Sequence, residues 1–352
     1  MNKNWKILLP ELQAVLDDEV AKGNECGCQL CIIEHGEKVV DIASGHYCTD
    51  ENKKVSNDTL FAIFSSGKPV LAALAWKLME RGIITHDTPV RKYWEEFNTP
   101  DKSGITIEHL LSHRAGMYLL PSGNPDLCDW EGMCNKIAAM TPRNLPGEKC
   151  HYHPLTYGWL VGHTLELATG RKLQELLNTE LITPLGLNGK LYFGIDDEAE
   201  KRVIDVDDSR FSERPTWETK VMNDPLVRRQ CVPSFNGFGS ACGLAEFYSE
   251  LRGTFVKNET FDFATGKIFR SPADPVRENE WTRFSLGAVL RGPDNDRRMF
   301  IGHGGASGAE AFYMPDEDIA FAFVKNRLSP KHPDHPVRDR ISDLLQIPRR
   351  FW

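Results

Sequence analysis

Ser65-Ser66-Gly67-Lys68 sets a serine and a lysine three residues apart, directly ahead of the apolar run from Pro69 to Trp76. On a helix that spacing puts both on one face, so Lys68 reaches the Ser65 hydroxyl. Pro69 marks the helix start, because proline is tolerated where the backbone N–H has no partner. Ser65 then falls at or just before the N-terminus, where free N–H groups and the helix dipole favour negative charge. This is the setting in which a nucleophilic serine develops a tetrahedral oxyanion. An unassisted alcohol is a poor nucleophile, and Lys68 serves as its base if burial lowers its pKa. The same string is compatible with an N-cap serine beside a solvated lysine, so the rest of the chain decides its meaning.

Three further segments bear on that decision. They are Ile105-Thr106-Ile107-Glu108-His109-Leu110-Leu111-Ser112-His113, then Pro146 to Gly162 with Tyr152-His153-Pro154 inside it, and Gly302-His303-Gly304-Gly305-Ala306-Ser307-Gly308 between two expected strands. In this order and spacing they resemble the serine β-lactamase-like superfamily. The likeness is to its class C-related branch, with the family VIII carboxylesterases and lovastatin-type acyltransferases, and it spans about Gly27 to Leu328.

The resemblance implies roles. Ser65 is the nucleophile, and Lys68 and Tyr152 share the base role, with Tyr152 protonating the leaving group. Which of the two takes the proton stays open. His303 stands where β-lactamases carry the lysine of Lys-Thr-Gly and is placed to bond substrate or Tyr152. The oxyanion hole is the N–H of Ser65 with the N–H of Ala306. Gly304 and Gly305 leave a bare strand edge that a substrate carbonyl can approach closely. The segment Pro233 to Ala245 resembles the branch's second return to the active-site wall and puts Asn236 near the pocket. Trp130, Trp159 and Tyr313 are candidate pocket aromatics, with core packing the better reading for Trp159.

Two departures shape the expected substrate. The family tyrosine motif is Tyr-x-Asn, whereas Tyr152-His153-Pro154 has no amide, and the terminal lysine is His303. An imidazole is mostly neutral at pH 7 in its ordinary range. Both missing groups hold the amide and carboxylate of a β-lactam in that family. The expected activity is therefore a serine hydrolase working through an acyl-enzyme: a carboxylesterase or acyltransferase on small ester or lactone substrates. An amide-directed hydrolase, such as a D-amino-acid peptidase or weak β-lactamase, is the enzyme alternative. A non-catalytic or polymerising scaffold on the same fold is the alternative from another class.

The elements that must position these residues follow from pattern. Residues 28–47 read as a β-hairpin turning at Glu34-His35-Gly36-Glu37. The helix from Ser65 carries Val70, Leu71, Leu74, Ala75 and Leu78 and stops at Gly82. Short helices are expected at Thr106 to His113, Tyr157 to Ala168 and Leu173 to Leu181, with 118–149 an excursion over the surface and 195–230 a second loop. Strands follow at 284–290, 298–301, 309–314 and 319–324, with a closing helix from Arg338 to Leu345. The predicted fold class is α+β: an antiparallel sheet flanked by helices with an inserted, mostly helical region, the β-lactamase and penicillin-binding-protein-like transpeptidase fold. Residues 1–82 and 235–352 build the sheet domain from both chain ends, and 83–234 form the inserted domain.

Bulk properties narrow the partners. The 352 residues are 41% hydrophobic and 26% charged, as in soluble globular proteins. The formal charge of −8 and pI near 5.8 argue against nucleic acid or an anionic membrane surface. No transmembrane stretch or secretory signal is expected; the N-terminus reads as an amphipathic helix with Leu12, Val15 and Leu16 on one face and Gly23 as its end. The nine scattered cysteines point to reduced thiols in a cytoplasm. Cys26, Cys28 and Cys31 are crowded, but a strand sends Cys28 and Cys31 to opposite faces, so no metal is expected. His109 and His113 lack the glutamate of a zinc-protease helix and read as packing histidines. Nothing calls for a cofactor.

Overall fold

The computed structural model describes residues 3–123, 126–271, 282–291, 300–328 and 336–347. Nine strands form one sheet: β1 (Gly27–Glu34), β2 (Glu37–Tyr47), β3 (Asp50–Lys54), β7 (Phe269–Ser271), β8 (Thr282–Phe284), β9 (Val289–Arg291), β10 (Phe300–Gly304), β11 (Glu310–Met314) and β12 (Ile319–Lys325). Their order is β3-β2-β1-β12-β11-β10-β9-β8-β7, with every pairing antiparallel. The two ends of the chain meet where β1 pairs β12, with Cys31 opposite Ala322. A second sheet of three short strands joins β4 (Phe61–Ala62), β5 (Leu191–Phe193) and β6 (Gly237–Gly239) in the order β4-β6-β5.

The period of two in β1 and β12 divides the core. Cys28, Leu30, Ile32, Phe321 and Phe323 face one cluster, which α1 (Trp5–Ala21) covers with Leu12, Val15 and Leu16, and α12 (Pro336–Leu345) with Val337, Ile341 and Leu345. Cys31, Ile33, Ala320, Ala322 and Val324 face the larger cluster on the other side. Gly23 follows α1 with φ +68°, as a left-handed stop requires. On the larger cluster's side lie α2 (Lys68–Glu80), α3 (Ile107–Leu111), α4 (Trp130–Ala138), α5 (Thr156–Thr169), α6 (Leu173–Leu177), α7 (Asp197–Glu200), α8 (Trp217–Met222), α9 (Pro225–Arg228), α10 (Ala241–Leu251) and α11 (Asn258–Gly266).

Several local expectations differ from the structure. Phe284 to Leu290 is not one strand: it is β8, a turn and β9, because Gly287 at φ +106° reverses the chain and Ser285 N–H bonds Ala288 O at 2.8 Å. The 118–149 excursion holds α4, started by Asp129, whose carboxylate accepts from Gly132 N–H. The 195–230 loop holds α7, α8 and α9, each opened by an Asp or Thr cap. Cys26 and Cys48 are joined in a disulfide, against the expectation of reduced thiols throughout. The β1–β2 hairpin brings them together: Gly27 pairs Gly45, and His46 N–H donates to Cys26 O. Cys28 and Cys31 do point to opposite faces. Among the described residues no helix is long and apolar enough to cross a membrane.

Candidate active site

The turn that carries Ser65 hangs from the small sheet. Ile63 N–H donates to Gly237 O at 2.9 Å, and Phe64 then takes φ +48°, a conformation that a bulky residue holds only when its surroundings impose it. Residues Phe64–Gly67 form one 3-10 turn that runs directly into α2 at Lys68. Gly67 is needed for packing: a Cβ there would lie 2.5 Å from Pro233 O and 2.8 Å from the Phe193 ring. Ser65 stays half-buried, while Lys68 behind it is fully buried.

Lys68 Nζ lies 2.9 Å from Ser65 Oγ, 2.7 Å from Pro154 O and 2.6 Å from Ser234 O. Burial pushes its pKa well below the ordinary lysine range. Tyr152 OH donates to Ser65 Oγ at 2.8 Å from the other side. Burial raises the tyrosine's pKa, against the lowering effect of that hydrogen bond, so the phenol keeps its proton. Two side chains, Lys68 at the head of α2 and Tyr152 from a separate loop, thus converge on one oxygen.

Tyr152 sits on a loop between α3 and α5 that histidines hold. His151 N–H donates to His113 O at 2.9 Å, and His153 N–H donates to His113 Nδ1 at 3.2 Å. His153 Nε2 accepts from Met117 N–H at 3.1 Å, which puts its ring proton on Nδ1, 2.6 Å from His151 O. Burial lowers the His153 pKa to about 3 and takes His113 well below its usual range, so both stay neutral. The Tyr152 ring stacks on Phe284 at 5.7 Å and lies 5.5 Å from the His303 ring. His109 caps α3 instead: its side chain accepts from Thr106 N–H, and Thr106 Oγ1 accepts from His109 N–H.

His303 is on β10 itself, opposite Ala311, with Nδ1 2.7 Å from Gly304 O. Its backbone carbonyl accepts from Ser66 Oγ at 3.0 Å, which ties β10 to the nucleophile turn. Gly304 ends the strand, where a Cβ would crowd Glu310. Gly305 begins the following turn, and a Cβ there would lie 2.6 Å from Ile63 O. Ala306 is exposed on that turn, which Gly308 N–H closes onto Gly305 O.

The remaining candidates lie elsewhere. Asn236 is fully buried with its amide spent on backbone: Oδ1 accepts from Val232 N–H, and Nδ2 donates to Val227 O and Gln230 O. The segment around it does reach the site, but through the Ser234 carbonyl. Trp130 donates to Glu166 and packs beside Trp159 on α5, and Trp159 is core, as its helical spacing foretold. Tyr313 lies opposite Ile301, beyond the His303–Ala311 pair, bonds Asp318 and meets Phe261 edge-on. Sequence reasoning missed the two carbonyls, because backbone acceptors leave no signature in residue type. It also missed His113 as the support of Tyr152; the left-handed φ of +60° at a histidine is visible only in the fold.

A family model described as Beta-lactamase matches residues 12–346. The chain belongs to the beta-lactamase family. Among curated relatives, the Esterase/beta-lactamase LipL of Mycobacterium tuberculosis is 27% identical over 336 residues, covering 86% of this chain and 77% of that protein. Among solved structures, a family VIII carboxylesterase superposes with a TM-score of 0.84 at 23% identity, covering 96% of both chains. A penicillin-binding protein homologue from Caulobacter crescentus gives 0.80 at 27% identity, covering 99% of this chain and 97% of the other. The chain is thus a serine hydrolase of the β-lactamase fold.

Proposed function

We propose that this chain is a carboxylesterase or acyltransferase that acts on small ester or lactone substrates through an acyl-enzyme at Ser65. The observation that carries the proposal is the convergence of Lys68 Nζ and Tyr152 OH on Ser65 Oγ, at 2.9 and 2.8 Å. A neutral lysine has two N–H bonds and one lone pair. Pro154 O and Ser234 O accept the two N–H bonds, which leaves the lone pair for the Ser65 proton. Among the described residues no carboxylate offsets the burial that keeps this amine neutral.

Lys68 is therefore the base of acylation. Ser65 Oγ attacks the ester carbonyl as its proton moves to Lys68 Nζ. The N–H groups of Ser65 and Ala306 receive the oxyanion, and Tyr152 gives its proton to the departing alkoxide, to be reprotonated through Lys68. Water or an acceptor alcohol then attacks the acyl-enzyme by the reverse route. His303 is the group that touches substrate or Tyr152 from the β10 side.

Two departures from the family favour esters. Pro154 offers a carbonyl to Lys68 where the family has an amide, and an imidazole replaces the ammonium at His303. Each lost charge-assisted or amide contact is worth roughly 1.5–3 kcal/mol, about one to two orders of magnitude in rate. The name of the Mycobacterium tuberculosis relative joins esterase and β-lactamase, which keeps the amide reading open to test. The specificity constant for p-nitrophenyl butyrate is expected to exceed that for nitrocefin by at least about a hundredfold. Equal constants, or an advantage for nitrocefin, would reject the ester assignment.

A further inference from the structure

A second group of reactive side chains lies where α10 packs on β1, beside β2. Cys31 and Asp41 face each other across the β1–β2 ladder and so point to one face of the sheet. Cys242, in the first turn of α10, packs onto that face. The thiol sulfurs and an Asp41 oxygen all lie within 4.8 Å of one another. Lys38 Nζ sits 2.7 Å from Asp41 and 3.6 Å from Cys242 Sγ, and the Cys242 thiol is 3.2 Å from Glu246 Oε1.

A cavity lies beside this group. Its volume is about 390 Å³, and it is lined by Lys38, Glu246, Lys190, Leu185 and Gly186. Lys38 and Glu246 are the two residues of that wall that touch Cys242 Sγ. Cys31 and Cys242 are buried and do not themselves line the cavity; Lys38 and Glu246 connect its wall to the Cys242 sulfur. Nothing in the ester chemistry uses these residues.

We propose that Cys31 and Cys242 are a peroxide-oxidisable thiol pair that closes into a disulfide linking β1 to α10. A hydroperoxide entering the cavity is attacked by the Cys242 thiolate. The S–O bond forms, the O–O bond breaks, and the leaving oxygen is protonated to water or an alcohol. Cys31 then attacks the Cys242 sulfenic sulfur, the S–S bond forms, and water leaves. Two thiols are oxidised and one peroxide is reduced. The hydrogen bond from Cys31 holds the Cys242 thiol below its ordinary pKa, and Lys38 stays an ammonium chiefly through its bond to Asp41. Both favour Cys242 as the attacking sulfur and Cys31 as the resolving one.

The experiment treats the folded full-length chain with hydrogen peroxide, alkylates it under denaturing conditions and maps its peptides. The expected product is a linked Cys31–Cys242 peptide, lighter by two hydrogens, beside the existing Cys26–Cys48 link, and a Tm raised by about 5 °C. Cys31→Ser removes the link and leaves a sulfenic acid on Cys242 that dimedone traps. Cys242→Ser removes the link and keeps untreated ester turnover at the wild-type level, which reports that it folds. Should Cys31→Ser fail to fold, the wild-type peptide map still decides. Sulfinic acid on Cys242 without the link, an oxygen bridge from Cys242 to Lys38, or an intact thiol pair after half-exposed Cys128 has reacted would each overturn the proposal.

Discussion

Lys68 combines full burial with two backbone carbonyls and one hydroxyl in reach, and these decide its chemistry together. Its lowered pKa means that the neutral, proton-accepting form is present at lower pH than for an exposed lysine. Activity therefore rises as pH climbs through the Lys68 value. It does not fall again until Tyr152 ionises, which its raised pKa puts above the ordinary tyrosine range. A kcat/KM profile from pH 5 to 9.5 is expected to show one ascending limb only; a descending limb below about pH 9 would name another acid. Lys68→Ala is expected to lower kcat/KM by at least about two orders of magnitude. Ser65→Ala is expected to abolish turnover, while Ser66→Ala keeps it. Ser66 faces away and bonds the His303 carbonyl, so its loss costs about 1–2 kcal/mol of stability in a denaturation curve.

At the scale of elements, the turn that carries Ser65 is held between two strands it does not belong to. β6 grips it through the Ile63–Gly237 bond, and β10 grips it through Ser66 and through the close approach of Gly305 to Ile63 O. The turn that carries Ala306 therefore keeps its distance from Ser65 only while residue 305 has no side chain. Gly305→Ala would put a Cβ 2.6 Å from a backbone oxygen, a contact that neither partner can relieve by a side-chain rotation. The expected outcome is a fall in kcat of about tenfold or more with a smaller change in KM, because the oxyanion donors matter most at the transition state. Steady-state kinetics on p-nitrophenyl butyrate checks it, and a KM effect alone would show that the turn only binds.

At the scale of the molecule, strands from both chain ends lie side by side at β1 and β12, and α1 and α12 seal one face of the sheet. The proposed catalytic residues lie on the opposite side, so on that proposal this seal contributes to stability and not to chemistry. Leu16 is fully buried under α1. Leu16→Ala is expected to destabilise the chain by about 2–5 kcal/mol while the folded fraction keeps its kcat. Urea denaturation and active-site titration together separate the two effects. A proportional loss of kcat in the folded fraction would show that α1 reaches the site.

Ser65 and Lys68 were legible in the sequence because a helix converts a spacing of three into adjacency. Gly23, the 28–47 hairpin and the strand at 319–324 were legible for a like reason: local periodicity and turn chemistry act over a few residues. The antiparallel sheet, with strands from both chain ends, followed from where the strand-forming segments fell. Other features depended on distant residues meeting. Asn236 was expected near the pocket; its amide closes a loop, and it is the carbonyl of Ser234 that reaches the lysine. Gly287 broke an apolar run that reads as one strand: its φ of +106° turns the chain, and a Cβ there would lie 2.1 Å from the Ala72 Cβ. The pairing of Cys26 with Cys48 and the meeting of Cys31 with Cys242 could not be read from spacing, because strand register and helix docking set them. Residue types and short spacings pointed to Ser65 as the proposed nucleophile, with Lys68 and Tyr152 to share the role of base. Only tertiary packing decided which backbone carbonyls bind the amine and how deeply it is buried, because desolvation is a property of everything that surrounds a group.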